Sequence, residues 1–115
     1  MHESQLARRV LDVVLARARE AGAGRVLTVH GRLGEMEALS ADALAFHFRA
    51  LARGTTAEDA DLAIRLTHVE ARCRGCSRRY LPDHVLICPA CGSTDGELLD
   101  EVGLVVESLE VEDGA

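Results

Sequence analysis

Two Cys-x-x-Cys pairs constrain this 115-residue chain more than any other feature: Cys73-Arg-Gly-Cys76, eleven intervening residues, then Cys88-Pro-Ala-Cys91-Gly92. Zn²⁺ takes four thiolates in a tetrahedron, and each short turn aims two sulfurs at one point. The segment 72–97 must therefore close around a metal-sized centre. Gly75 and Gly92 fall where such tight turns favour a positive φ. Two disulfides are the competing reading. The cysteines are clustered rather than spread, and Arg8, Arg9 and Asp12 interrupt the opening residues, which form neither a secretory segment nor a membrane span. A soluble, reducing, cytoplasmic setting is the expectation, and it suits thiolates bound to zinc.

The net charge is −6, whereas a protein that grips phosphate backbones is usually basic. All thirteen basic residues are Arg, spread through every segment, which reads as base composition of the source. Locally, Arg72, Arg74, Arg78 and Arg79 surround the first cysteine pair, with Asp83 the single acid before Cys91. One reading is that guanidinium groups offset the −2 charge of a four-thiolate zinc site. The alternative is a zinc-ribbon module that contacts RNA or the ribosome. Tyr80 is the lone aromatic there, a thin platform for stacking bases, so nucleic acid is not the expected partner.

Outside the module, periodicity predicts a helix over 4–21, with Leu6, Val10, Val13, Val14 and Ala18 inward and Gly22 as its stop. Leu27, Val29, Gly31 and Leu33 alternate with polar residues as a half-buried strand ended by Gly34. Ser40 is the expected N-cap of a second helix, with Asp42 in its first turn, Leu44, Phe48 and Leu51 inward, Phe46 at the margin and Gly54 as the stop. Leu62, Ile64 and Leu66 mark a second strand running on toward Cys73. A last strand covers about 103–112, where the apolar phase shifts near Ser108 and suggests a bulge. The last strand should return to pair with the first two. The expected class is α+β: a small sheet of about three strands packed with two helices, plus an inserted four-cysteine zinc module. Residues 1–71 and 98–115 form one discontinuous domain, and 72–97 the module.

No phosphate loop, nucleophile elbow or His-Glu-x-x-His motif is present, and an enzyme is not expected. The carboxylates read as solvated surface. Met1-His2-Glu3 carries different chemistry. A free Met1 amine, the His2 amide nitrogen and the His2 imidazole can close two fused chelate rings on one ion, and planar nitrogen donors suit Ni(II) or Cu(II). Glu3 stands next as an outer ligand or hydrogen-bond partner, and one coordination position remains open. The plain alternative is a surface histidine. His30, His47, His68 and His84 read as surface or packing residues.

Taken together, Met1-His2-Glu3, the amphipathic helix, Leu33-Gly34-Glu35, Gly54-Thr55, the four cysteines and Ser108-Leu109-Glu110-Val111 resemble the HypA/HybF family of hydrogenase nickel-insertion proteins over essentially the whole chain. The resemblance implies a metallochaperone carrying Ni(II) as cargo on Met1 and His2, with Glu3 beside them. It also implies a structural zinc on Cys73, Cys76, Cys88 and Cys91. The implied partners are a nickel-binding GTPase and the large subunit of [NiFe]-hydrogenase, with urease a possible second recipient and no membrane involved. The chain departs from the family pattern at Ser4-Gln5, and at Ser40, where relatives often carry Asp. Asp42 is near enough to supply that charge in principle.

Overall fold

The computed structural model describes residues 3–36, 39–83 and 85–113. Helix α1 spans Glu3–Glu20 and buries Leu6, Ala7, Val10, Leu11, Val14 and Ala18. That stripe recurs every three or four residues, as one face of a helix requires. Val13, expected inward, is instead 37% exposed, because the buried face turns toward Ala7 and Leu11. Gly22, at φ +66°, ends the helix as expected, with its N–H donating to the Arg19 carbonyl at 3.1 Å.

Strand β1 (Ala23–Glu35) is far longer than its alternating pattern suggests. It begins four residues before Leu27 and runs past Gly34, the expected stop. Helix α2 (Ala41–Leu51) is capped by Ser40, whose Oγ accepts the Ala43 N–H at 3.1 Å. It closes at Ala52 rather than Gly54, and Leu51, expected inward, lies half-exposed at its edge. Strands β2 (Asp61–His68) and β6 (Gly103–Asp113) complete a sheet of order β2-β1-β6. β2 is parallel to β1, from Thr28 opposite Asp61 to Glu35 opposite His68. The helix α2 supplies the crossover that a parallel pair needs.

The last strand does not pair with both earlier strands. It runs antiparallel to β1 alone, from Ala23 opposite Asp113 to Gly34 opposite Gly103, and leaves β1 in the centre. The expected bulge is present: His30 faces Ser108 while Gly31 faces Val106, so Glu107 is the extra residue. The skip keeps Val106 and Leu109 on the core side. Arg17 of α1 donates to the Val106 carbonyl beside the bulge. Both helices cover one face of the sheet and share a single core with it. The other face carries polar pairs, Arg65 with Glu107 at 3.3 Å and His30 with Glu110 at 3.4 Å.

β2 does not run into the cysteines. It stops at His68, and the chain re-enters a second sheet of order β4-β3-β5: β3 (Ala71–Cys73), β4 (Arg79–Tyr80) and β5 (Gly96–Leu98). The change of sheet occurs at Val69 and Glu70. The Val69 N–H donates to Glu35 of the first sheet, while the Glu70 carbonyl accepts from Leu99, both at 2.9 Å. The second sheet has its own cluster of Ala71, Cys73, Tyr80 and Cys88. The molecule measures 59 × 22 × 16 Å with a radius of gyration of 17.1 Å. A compact chain of this length would have about 13 Å, so the two cores lie end to end. Among the described residues, no helix is long and apolar enough to cross a membrane.

Candidate metal centre

Both cysteine turns fold alike, and the likeness follows from their hydrogen bonds. The Ser77 N–H donates to the Cys73 carbonyl at 2.8 Å, and the Gly92 N–H to the Cys88 carbonyl at 2.8 Å. Cys73 and Cys88 then donate their own N–H groups to Arg78 and Ser93 carbonyls, both at 2.9 Å. Each turn needs a left-handed residue directly after its second cysteine. Gly92 fills that position with φ +75°, as expected, but in the first turn it is Ser77, at φ +64°, and not Gly75. Gly75 lies inside the pair, where an added Cβ would sit 3.6 Å from the Cys73 sulfur, an ordinary contact.

The four sulfurs lie within 4.8 Å of one another. Cys73 is 3.6 Å from Cys91, and Cys76 is 3.6 Å from Cys88, so the close approaches cross between the turns. These separations exclude the disulfide reading, since a bonded pair lies at about 2.0 Å. They fit a metal: a tetrahedron with Zn–S bonds of about 2.3 Å has edges of about 3.8 Å. Cys73 and Cys88 are buried and Cys76 and Cys91 exposed, which leaves one side of the cage open to solvent.

Electrostatics point the same way. The Cys76 N–H, 3.5 Å from the Cys73 sulfur, leads in lowering the Cys73 pKa. The Cys91 N–H does the same for Cys88, whose pKa falls to about 7 against the opposing effect of burial. Cys91 moves the other way. The Ser93 N–H favours its thiolate, but hydrogen bonds with Cys73 and its neighbours, together with burial, outweigh it and push the pKa up to about 11. One part of the cage ionises readily and the next is resisted, as expected of like charges in close contact. A bound cation removes that conflict.

Tyr80 was the thin aromatic platform of the RNA-binding alternative. It is only 8% exposed, and its hydroxyl has no hydrogen-bond partner among the described residues. Burial, then the cysteine thiolates, push its pKa up. An added Cβ at Gly96 would meet this hydroxyl at 2.5 Å, so the glycine makes room for the ring. Arg74 pairs with Asp95 at 2.8 Å and Glu97 at 3.8 Å, and Arg79 with Glu70 at 2.7 Å. A buried ring and acid-paired arginines make a poor nucleic-acid surface.

Met1 and His2, the expected nickel ligands, lie outside the described residues, as do His84 and Glu37. Glu3 opens α1, and its carboxylate accepts the Ser40 N–H at 3.4 Å. The charge expected from Asp at position 40 is therefore brought to the α2 N-terminus by Glu3. His68 was read as surface or packing. Its Nε2 donates to the Pro82 carbonyl at 2.7 Å, tying the end of β2 to the loop between the cysteine pairs. Nothing in the spacing of residues 68 and 82 signals this contact.

Residues 1–111 match the family described as hydrogenase/urease nickel incorporation, metallochaperone, hypA. The hydrogenase maturation factor HypA of Klebsiella pneumoniae (strain 342) is 34% identical over 114 residues, 97% of this chain and 100% of that protein. The protein of the same name from Prosthecochloris aestuarii is 34% identical over 113 residues, again 97% and 100%. The solution structure of the Ni metallochaperone HypA from Helicobacter pylori superposes with a TM-score of 0.64 at 22% identity, covering 98% of this chain and 99% of that one. A second HypA solution structure gives 0.60 at 23% identity, covering 96% of each. These two structures support the fold alone.

Proposed function

The chain belongs to the HypA family of nickel-incorporation metallochaperones, and from that membership we propose a carrier with two separate metal sites. Ni(II) is its cargo, held by the Met1 amine, the His2 amide nitrogen and the His2 imidazole, with Glu3 alongside. Zn(II) is structural, held by Cys73, Cys76, Cys88 and Cys91. The family places the chain among metallochaperones rather than enzymes. One observation carries the reading: the family match begins at residue 1 and so takes in the terminal Met-His-Glu together with all four cysteines.

The chemistry divides the two roles. Four thiolates from two short turns would fill every coordination position of a tetrahedral ion, and the module around them is too small to fold on its own core. Zinc there should be tight and permanent. A chelate built on a chain terminus can be surrendered one ligand at a time, as a carrier requires. Glu3 has two duties in this scheme. It holds the α2 N-terminus through Ser40, and it can turn its carboxylate toward an ion bound at the preceding residues. The two hydrophobic cores support dividing the chain into a nickel domain and a zinc module, but Ala71 and Leu98, read as nickel-domain residues of 1–71 and 98–115, belong to β3 and β5 of the sheet around the module, beyond its expected bounds of 72–97.

Delivery follows from the same reading. The recipient is the large subunit of [NiFe]-hydrogenase, reached in the cytoplasm with a nickel-binding GTPase as partner, and urease is a second recipient. The test is a Ni(II) titration of the tag-free, zinc-loaded chain beside His2→Ala and a variant with one residue added before Met1. Stoichiometric binding that both changes abolish supports the terminal chelate. Binding that survives both contradicts it.

A further inference from the structure

Tyr80 lies in the small core of the second sheet, and packing alone does not account for its hydroxyl. That hydroxyl is buried and makes no hydrogen bond among the described residues. Buried tyrosines usually find a partner, and a buried polar group left unpaired is destabilising. Phenylalanine would fill the same cluster of Ala71, Cys73 and Cys88 without that burden. Gly96 gives a second sign. Its backbone is not left-handed, so the conformation there does not require glycine. An added Cβ would meet the Tyr80 hydroxyl at 2.5 Å, whereas the next obstacles, the Arg72 carbonyl oxygen and the Tyr80 Cζ, stand back at 3.6 Å. The glycine serves the oxygen rather than the ring.

Sheet register shows where that oxygen lies. Tyr80 pairs with Ala71, and Gly96 pairs with Cys73. Ala71 and Cys73, two residues apart on β3, share its buried face. The ring therefore crosses β3 diagonally, from the row of Ala71 to the row of Cys73. Its hydroxyl ends on the side of the sheet that carries the Cys73 sulfur. After burial itself, the Cys73 thiolate is the strongest influence on this hydroxyl, ahead of the other three cysteines. The four sulfurs differ in what can serve them. Cys76 and Cys91 are exposed and can draw hydrogen bonds from water, whereas Cys73 and Cys88 are buried and depend on the protein. Backbone N–H groups of its own turn serve each buried sulfur. Cys73 alone also has a tyrosine hydroxyl across its sheet pair.

We propose that Tyr80 is a positioning residue of the metal centre, its hydroxyl donating a hydrogen bond to the Cys73 thiolate when the cage holds zinc. The inference rests on the zinc reading above. A bond from a neutral donor to a charged sulfur satisfies the buried oxygen and draws electron density from a centre of net negative charge. Partners of this kind orient a ligand and tune its metal. Here the bond ties the buried half of the cage to β4 and leaves the exposed half to solvent.

The test uses the full chain with Co(II) in the cage, whose sulfur-to-metal charge-transfer bands report electron density on the thiolates, and with cadmium for NMR. The native chain is compared with Tyr80→Phe and with the double variant Tyr80→Phe/Gly96→Ala, in which a methyl group takes the space of the lost oxygen. The expected result is one ion in every cage and charge-transfer bands shifted to lower energy in both variants. In the native cadmium-loaded chain, the Tyr80 hydroxyl proton should show scalar coupling to the metal. Native bands in Tyr80→Phe overturn the proposal and leave the zinc reading intact. Native bands restored in the double variant overturn it too, because a methyl group packs but does not donate. A native chain that takes up no Co(II) on its thiolates overturns the zinc reading as well. If Tyr80→Phe fails to fold by circular dichroism, the coupling in the native chain decides: its presence supports the bond and its absence overturns it.

Discussion

Gly31 and Gly34 let β6 lie against β1 more closely than any side chain would permit. An added Cβ at Gly31 would sit 2.5 Å from the Val105 carbonyl oxygen, and one at Gly34 would collide with the Glu101 carbonyl. Both obstacles are backbone, so relief requires moving the strand. Gly31→Ala should destabilise the chain by about 1–3 kcal/mol, measured as a fall in the urea midpoint with unchanged slope. Ser40→Ala should cost about 1 kcal/mol by removing the α2 cap, in the same assay. It should leave the Glu3 contact in place, because that bond uses the Ser40 backbone. At this scale the cysteines were legible because four thiols at fixed spacing have few alternatives. The left-handed Ser77 was not, since the neighbouring glycine offered the more obvious candidate. The burial of Tyr80 was not legible either, although it agrees with the reading of a thin stacking platform, because a lone aromatic has no periodic neighbours to mark which side meets the core.

The elements differ in what holds them. Among the described residues, the first sheet and its helices share a core of fifteen buried residues, whereas the second sheet has four, two of them cysteine metal-ligand candidates. Removing zinc with a strong chelator should therefore abolish amide-exchange protection in β3, β4 and β5 while β1 and the buried half of α1 keep theirs. Simultaneous loss of both would mean the two bodies fold as one. His68→Ala removes the hydrogen bond to Pro82, and the expected outcome is faster exchange across residues 81–87 with zinc content unchanged. Both helices were readable because their apolar stripes have a strong period. β1 was read from Leu27 to Leu33 because Gly34 imitates a stop and because a register shift between Val26 and Thr28 hides the alternation of the residues before Leu27, which only the pairing with β6 reveals. The central position of β1 was likewise hidden. A parallel partner on one side and an antiparallel partner on the other can be told apart only by the crossover through α2.

At the scale of the molecule, the elongated shape sets the four-cysteine cage apart from the helical core, and in the proposed scheme the cage keeps a permanent metal while Ni(II) loads and leaves at the terminal chelate. Nickel binding at the terminal chelate displaces protons from an amine, an amide and an imidazole. Protons compete for the same atoms, so affinity should fall as the pH falls and rise as it rises. Ni(II) titrations between mildly alkaline and mildly acidic buffer should weaken by more than tenfold per pH unit, because more than one proton is released for each ion bound. Zinc, with all four coordination positions filled by thiolates, should remain through that range. The four-cysteine module was visible in the sequence, but the end-to-end arrangement of two cores along a 59 Å axis was not. It depends on the change of sheet at Val69 and Glu70, two residues with no distinctive pattern. The measurement that tests the account most directly is native mass spectrometry of the tag-free chain during a Ni(II) titration, beside the variant extended by one residue before Met1. The account predicts a single zinc in both proteins throughout and a single added nickel only in the native chain. Nickel added equally to both proteins, or nickel that enters by displacing the zinc, would contradict it.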